Sequence, residues 1–345
     1  MTTPNYFDLD VAEVIQETND ACSFEFEIPE SVQDQFKYRP GQFLTLRIPW
    51  QDDFLPRCYS LSSSPFESER LRVTVKRVDD GRGSNWLCDK IKAGDTLQVL
   101  KPAGVFVPKN LDRNFLLFAG GSGVTPVLSI LRSALTQGQG NIRMLYANRN
   151  DTSVIFSKLL NDLAVQYPDR LQVIHWLDSV QGRPTAPQLA RFAEGFADAD
   201  VFVCGPEPFM QGVEKAMKLA GIDGKSSVHV ERFVSLPGES EGHVDAVVAR
   251  EGATATKLVV ELDGETREID CKPGEVLLAA MQREGMDPPH SCLVGSCASC
   301  MCTLVDGEVD LLANAALDAE ELAEGWTLAC QAVATTKKVH LKFPD

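Results

Sequence analysis

Hydrophobic and polar positions change their period twice along the chain. Residues 9–15, 22–28, 43–48, 71–77 and 96–100 are short β-like runs, punctuated by Pro40-Gly41, Asp79-Asp80-Gly81 and Ala93-Gly94-Asp95. Many short strands with little helical period predict an antiparallel β-barrel. From Phe115 the pattern becomes apolar strands at 115–119, 142–147, 171–177 and 201–204. These alternate with a helix running to about Ala134 and with helices near 157–165, 187–192 and 208–219, which predicts a parallel, doubly wound α/β sheet. After the polar, turn-rich stretch 235–242, runs at 257–262 and 265–271 form a hairpin around Asp263-Gly264. A helix near 275–284 and strands near 301–305 and 338–342 complete a small sheet crossed by one helix, compatible with a β-grasp shape. The expected fold is therefore multidomain: barrel 1–108, α/β domain 109–234, linker 235–250 and β-grasp domain 251–345.

Composition narrows the function. With 345 residues, 44% hydrophobic and 24% charged, the chain is ordinary globular material. No apolar run approaches the length of a membrane span, and the start Met1-Thr2-Thr3-Pro4 lacks a secretion-signal layout, so a cytoplasmic location is expected. A net charge of −16 argues against nucleic acid as a partner. From Glu251 onward there are 17 Asp/Glu against 7 Lys/Arg, so this segment carries −10 of the −16. Such a surface serves solubility, or docks a partner of positive charge.

The strongest chemical signal is Cys292, Cys297, Cys300 and Cys330: C-x4-C-x2-C, then 29 residues, then a fourth cysteine. That is the plant-type spacing for a [2Fe–2S] cluster held by four thiolates. Zinc sites pair two short C-x2-C units, and a Rieske centre needs two histidine ligands; neither is present. Gly295, Ser296, Ala298 and Ser299 keep the loop small enough for backbone N–H groups to reach sulfur. Cys302, Cys22, Cys58, Cys88 and Cys271 are expected in cores.

Two stretches mark the barrel. In Arg57-Cys58-Tyr59-Ser60 an extended backbone sends residues 57 and 59 to one face. Arg57 can meet a phosphate there while Tyr59 lies beside a flat ring. Gly81-Arg82-Gly83-Ser84-Asn85-Trp86 is a glycine turn opening a short helix, suited to a pyrophosphate. In the α/β segment, Gly121-Ser122-Gly123-Val124-Thr125-Pro126 and Cys204-Gly205-Pro206 lie where strands pass into helices. Ligands in such sheets sit at those carboxyl ends. Asp178, after the strand at 171–177, suits a ribose and repels a 2′-phosphate, favouring NADH; Arg149 pulls the other way. His175 is expected to be a packed strand residue.

Taken together, the chain resembles a ferredoxin-NADP reductase-type flavoprotein fused to a plant-type ferredoxin. It is similar to the reductase components of Rieske oxygenases, the 3-ketosteroid 9α-hydroxylase reductases among them. The resemblance spans nearly the whole chain. It runs through Tyr38 to Pro49, Arg57 to Leu61, Val75-Lys76-Arg77, Gly83 to Cys88, Gly120 to Pro126, Leu145 to Arg149, His175-Trp176-Leu177 and Cys204-Gly205-Pro206. It implies that Arg57, Tyr59 and Ser60 contact FAD, with Ser60 near the flavin N5, and that Gly83-Ser84 holds its pyrophosphate. Gly121, Gly123 and Thr125 would serve the dinucleotide, Cys204 would lie near the nicotinamide, and Glu231 and Phe233 beside the flavin. Ala298 departs from the pattern, standing where relatives often carry glycine.

The implied activity is NADH-dependent electron transfer through FAD and the [2Fe–2S] cluster to a terminal oxygenase. A Rieske enzyme is the expected partner, docking on the acidic ferredoxin domain. A di-iron oxygenase such as phenylacetyl-CoA epoxidase is the alternative partner. A non-enzymatic relay or redox sensor is the rival of another class.

Overall fold

A computed structural model describes residues 6–50, 53–67, 70–222, 228–233, 255–295, 297–314, 316–317 and 319–344. The expected linker, 235–250, lies outside them. The chain divides into two compact units, one being Tyr6–Phe233 and the other containing the described residues beyond it.

In the first unit β1 (Phe7–Thr18), β2 (Ala21–Glu27), β3 (Phe43–Trp50), β4 (Asp53–Ser60), β5 (Leu71–Lys76) and β6 (Thr96–Val99) make one antiparallel sheet, ordered β4-β3-β6-β1-β2-β5. Its outer strands meet: Leu61 bridges Val73, and the Ser62 N–H donates to the Arg72 carbonyl at 2.8 Å. That contact closes the sheet into a barrel. Two register shifts in β1 supply curvature, as bulges do. Leu9, Phe24, Phe26, Leu44, Leu46 and Val73 fill the interior. β4 shows no apolar run in the sequence because Asp53, Pro56 and Arg57 interrupt it, yet it pairs with β3 over its full length. α1 (Arg82–Lys90) follows Gly81 and buries Leu87.

The parallel sheet comprises β7 (Phe115–Gly120), β8 (Ile142–Asn148), β9 (Leu171–Leu177), β10 (Asp200–Cys204) and β11 (Val228–Glu231), ordered β11-β10-β7-β8-β9. The helices are α2 (Val124–Gln137), α3 (Ser157–Gln166), α4 (Asp178–Gln181), α5 (Ala186–Phe192) and α6 (Glu207–Leu219). Successive strand residues face opposite sides. Phe115 and Leu117 accordingly pack with α2 and α3, while Leu116 and Phe118 pack with α5 and α6. The strand order reverses between β7 and β10, the switch point where α/β sheets open a crevice.

α2 is buried from Val124 to Leu135, polar residues included. Its second face meets the barrel side through matched polar groups. The Ser129 hydroxyl donates to the Ser63 carbonyl at 2.6 Å, the Ser64 and Ser133 hydroxyls lie 2.9 Å apart, and Arg132 pairs with Glu67. Gly41, in the left-handed region at φ +94°, fits here because an added Cβ would lie 1.9 Å from the Phe106 carbonyl oxygen.

In the second unit β12 (Thr256–Leu262), β13 (Glu265–Cys271), β14 (Met301–Asp306), β15 (Val309–Leu311), β16 (Trp326–Leu328), β17 (Ala332–Ala334) and β18 (Lys338–Lys342) form two sheets. The larger is ordered β13-β12-β18-β14-β16, with β12 and β18 parallel, and β15 pairs β17. Asp263 and Gly264 both have positive φ, the geometry that a two-residue hairpin turn needs. α7 (Leu277–Arg283) lays Leu277, Leu278 and Met281 on the sheet, and α8 (Ala319–Ala323) is short. β15, β16, β17 and α8 are too short to leave a period in the sequence. No described helix is long and apolar enough to cross a membrane.

Candidate functional site

Pairing with β3 sets the face that each β4 residue uses, with Arg57 opposite Leu46 and Tyr59 opposite Leu44. Arg57 and Tyr59 both point toward Gly83, in the first turn of α1. A Cβ on Gly83 would lie 3.0 Å from Arg57 Cγ, 3.6 Å from the Tyr59 hydroxyl and 2.8 Å from Ile48 Cδ1. The missing side chain thus leaves backbone beside a cation and an aromatic ring, a fit for a flavin nucleotide's phosphates and ring. Burial pushes the Tyr59 pKa well above that of an ordinary phenol, opposed by the Arg57 charge, so the hydroxyl stays protonated. Ser84 is buried and accepts a hydrogen bond from the Val78 N–H at 3.1 Å, which closes the turn before the helix.

Ser60, the last residue of β4, reaches the parallel sheet. Its hydroxyl lies 3.4 Å from Oε2 of Glu231 at the end of β11. Glu231 is paired in register with Cys204, and Cys204 with Ala119, so β11, β10 and β7 end side by side. A Cβ on Gly123 would stand 2.2 Å from the Cys204 carbonyl oxygen, so only glycine lets the turn approach β10 this closely. Burial pushes the Glu231 carboxyl up to about 8, with the Ser60 hydroxyl working against it. Burial also pushes the fully buried Cys204 thiol well up, and Glu231 adds to the effect. Cys204 is therefore a neutral thiol at neutral pH, a packing group and not a nucleophile.

Gly121 has φ +54° and is held by Tyr146, whose hydroxyl donates to its carbonyl at 3.0 Å. A Cβ on Gly121 would meet a single neighbour, Lys76 Nζ, at 3.9 Å. Thr125 donates to the Ser122 carbonyl at 3.1 Å and fixes the turn. Arg149 and Asp178 follow β8 and β9, and the Ser179 N–H donates to the Arg149 carbonyl at 2.9 Å. From β10 to β9 the candidate residues thus span three strand spacings, about 15 Å, the reach of an extended dinucleotide. Lys76, in the Val75-Lys76-Arg77 stretch, has no role legible in the sequence, because only the fold brings it to Gly121.

The remaining expected residues differ in exposure. Phe233 follows β11 with 46% of its surface exposed. His175, expected to be packed, is exposed on β9, beside a cavity of about 930 Å³ lined also by Glu17, Arg72, Phe156 and Lys158. Of the cysteines expected in cores, Cys22, Cys271 and Cys302 are buried, whereas Cys58 and Cys88 are half-buried.

In the second unit the four cysteines converge. The Cys292 N–H points to Cys297 Sγ at 3.5 Å, and the Cys330 N–H to Cys300 Sγ at 3.5 Å. Cys292, Cys300 and Cys330 are buried and Cys297 is half-buried, so one sulfur lies toward the surface. The hydrogen bond with the Cys330 side chain, then burial, pushes the Cys300 thiol well up. Forming thiolates here calls for a cationic metal group, and four soft sulfurs with N–H donors fit an iron–sulfur cluster. Leu293, Gly295 and Ala298 all adopt positive φ, Ala298 at +53°. That backbone explains why glycine suits position 298. Gln331, fully buried, donates from Nε2 to the Leu293 carbonyl at 2.8 Å and so ties the loop to the strand after Cys330. The sequence hint of this role was its place next to the fourth cysteine.

Comparison with known proteins agrees with this division. Family models for an oxidoreductase FAD-binding domain, an oxidoreductase NAD-binding domain and a 2Fe-2S iron-sulfur cluster binding domain match residues 8–107, 117–215 and 260–335. The ferredoxin reductase component of 3-ketosteroid-9-alpha-monooxygenase from Rhodococcus rhodochrous is 48% identical, covering 97% of this chain and 96% of that protein. A component of 1,2-phenylacetyl-CoA epoxidase from Escherichia coli K12 is 35% identical, over 99% and 98%. Phthalate dioxygenase reductase shares the fold at TM-score 0.59 and 24% identity, covering 98% of both chains. Full-length CYP116B46 from Tepidiphilus thermophilus matches at TM-score 0.72 and 24% identity, and there the chain spans 42% of a longer protein. The chain belongs to the family of ferredoxin reductase components of 3-ketosteroid-9-alpha-monooxygenases.

Proposed function

We propose that the chain is an NADH-dependent reductase that supplies electrons to the terminal oxygenase of a Rieske-type 3-ketosteroid 9α-hydroxylase. The observation that carries this reading is the meeting of Ser60, Glu231 and Cys204 beside Gly123, which joins the flavin strand to the dinucleotide turn. As a member of a family of monooxygenase reductase components, the protein partners a terminal oxygenase. When bound, nicotinamide, FAD and the [2Fe–2S] cluster supply the redox chemistry, converting a hydride into single electrons.

In this reading the chain binds, orients and shields. Arg57 and the Gly83 turn hold the flavin phosphates, and Tyr59 lies along the ring. Ser60 offers its hydroxyl at the ring's reacting edge, positioned by Glu231. Gly121, Gly123 and Thr125 hold the dinucleotide diphosphate, Cys204 packs beside the nicotinamide, and Asp178 receives a ribose. Phe233 would cover the flavin. Cys292, Cys297, Cys300 and Cys330 hold the cluster, with Cys297 nearest the outside. No acid, base or nucleophile is needed. We assign residues 1–108, 109–234 and 251–345 to the three domains, joined by a linker at 235–250, place docking on the acidic last domain, and place the protein in the cytoplasm.

The test is anaerobic mixing of the holoprotein with NADH, followed by addition of candidate oxygenases. Bleaching of the flavin, then of the cluster, with turnover only by the steroid Rieske component, is expected. A flavin that stays oxidised would favour the relay reading. Turnover with the di-iron epoxidase alone would favour the alternative partner.

A further inference from the structure

Two opposing marks stand at the ends of β8 and β9: Asp178 disfavours a 2′-phosphate and Arg149 invites one. The fold adds a third residue from the barrel. Asp20, in the turn between β1 and β2, places Oδ2 2.9 Å from Nη2 of Arg149 and 3.7 Å from Nζ of Lys76. The same Lys76 ammonium is the neighbour of Gly121. Asp20 is itself fixed, since the Thr18 hydroxyl donates to Oδ1 at 2.7 Å and the Arg77 N–H donates to its carbonyl at 2.7 Å. Burial alone would raise its pKa, but the Thr18 hydroxyl, Lys76 and Arg149 outweigh burial and hold it below the ordinary range. At neutral pH Asp20 is an anion.

We propose that Asp20 is a specificity-determining residue: it occupies the Arg149 guanidinium and thereby denies that cation to a 2′-phosphate. Arginine is the side chain best suited to a phosphate fork, and a carboxylate already on Nη2 takes one of its donors, offsets its charge and repels a second anion. Lys76, farther from Asp20 and facing the glycine turn, keeps its charge for the diphosphate. One net positive charge then remains for a ligand with two phosphates, and none is spare for a third. The proposal rests on the reading that the dinucleotide lies along the carboxyl ends of β10, β7, β8 and β9.

The test is calorimetric binding of AMP and of adenosine 2′,5′-bisphosphate to the FAD-loaded protein. Asp20→Asn is expected to tighten the bisphosphate by about tenfold, the scale of one charge-assisted hydrogen bond, while AMP changes far less. Asp20→Asn with Arg149→Ala should lose that gain. Arg149 is exposed, so Arg149→Ala alone will fold, and in the parent it should leave bisphosphate binding unchanged. An unaltered preference in Asp20→Asn, a gain that survives Arg149→Ala, or a loss of bisphosphate binding in Arg149→Ala alone would overturn the proposal. If AMP fails to compete with NADH, the underlying reading of the dinucleotide path is what fails.

Discussion

The hydroxyl of Ser60 lies 3.4 Å from a carboxylate oxygen of Glu231, although 171 positions separate them in sequence. One residue ends a barrel strand and the other ends the last strand of the parallel sheet, so the contact measures how well the two sheets are aligned. Ser60→Ala should retain flavin yet slow its reduction by NADH about tenfold or more, the effect of roughly 1.4 kcal/mol at the barrier. Stopped-flow absorbance at saturating NADH checks this. An unchanged rate would remove Ser60 from the reacting edge.

Glu231 predicts a pH dependence. Its folded pKa of about 8 stands above the ordinary 4.5, so the folded state keeps a proton that the unfolded chain has released. The associated stability is fully present below about 4.5 and is lost as pH rises through 8. Glu231→Gln, which mimics the protonated form, should flatten that part of the melting-temperature profile. It should also match the parent's flavin reduction at pH 7 and diverge from it above pH 8.

The glycine turns give a steric prediction. Gly123→Ala would put a Cβ 2.2 Å from the Cys204 carbonyl oxygen, with backbone on both sides of the clash. NADH affinity should fall by at least about tenfold while the iron–sulfur spectrum is unchanged, since overpacking of this kind costs roughly 1–3 kcal/mol. Titration of flavin reduction against NADH reads the first effect and visible absorbance the second.

Replacing any one of Cys292, Cys297, Cys300 or Cys330 by serine should abolish the cluster's visible signature and leave NADH-driven reduction of an artificial acceptor by the flavin. Ala298→Gly should stabilise the loop by up to about 1 kcal/mol, because a left-handed backbone is costly for alanine. Ala298→Val should lose the cluster. Gln331→Leu should speed cluster loss in chelator by removing the tie to Leu293.

The acidic segment is testable through salt. Neutralising Glu320, Glu321 and Glu324 should weaken coupling to the oxygenase and flatten its ionic-strength dependence, with artificial-acceptor reduction unchanged. Coupling indifferent to those charges would leave solubility as their role.

Much of this molecule is legible in its residues alone. The central parallel strands stand out because both faces are buried, so 115–119, 142–147 and 201–204 read as apolar runs, whereas the edge strand 171–177 is largely half-buried and leaves His175 exposed. The cluster ligands stand out because thiolate geometry demands fixed spacings. β4 is harder to read, since Pro56 and Arg57 break its apolar run while pairing with β3 supplies its order. Asp20 and Lys76 carry no local signal, because their meaning comes from partners 129 and 56 positions away, and Gln331 has only its place beside Cys330, its partner being 38 positions away. Ala298 shows the converse: the sequence marks a departure from glycine, and the positive φ supplies its cost.

The serine-lined seam along α2 bears on how such proteins are recombined. Ser129, Ser133 and Arg132 answer Ser63, Ser64 and Glu67 on the barrel side, so the flavin and nicotinamide halves share a polar seam, in which Ser133 also donates to the Ser129 carbonyl within α2 at 2.7 Å. A chimera cut near residue 108 would deprive the Ser129 hydroxyl of the Ser63 carbonyl and the Arg132 guanidinium of Glu67 unless both sides of the seam came from one parent. Grafting Tyr6–Phe233 whole keeps that interlock, so the natural unit of exchange with relatives is this two-sheet body.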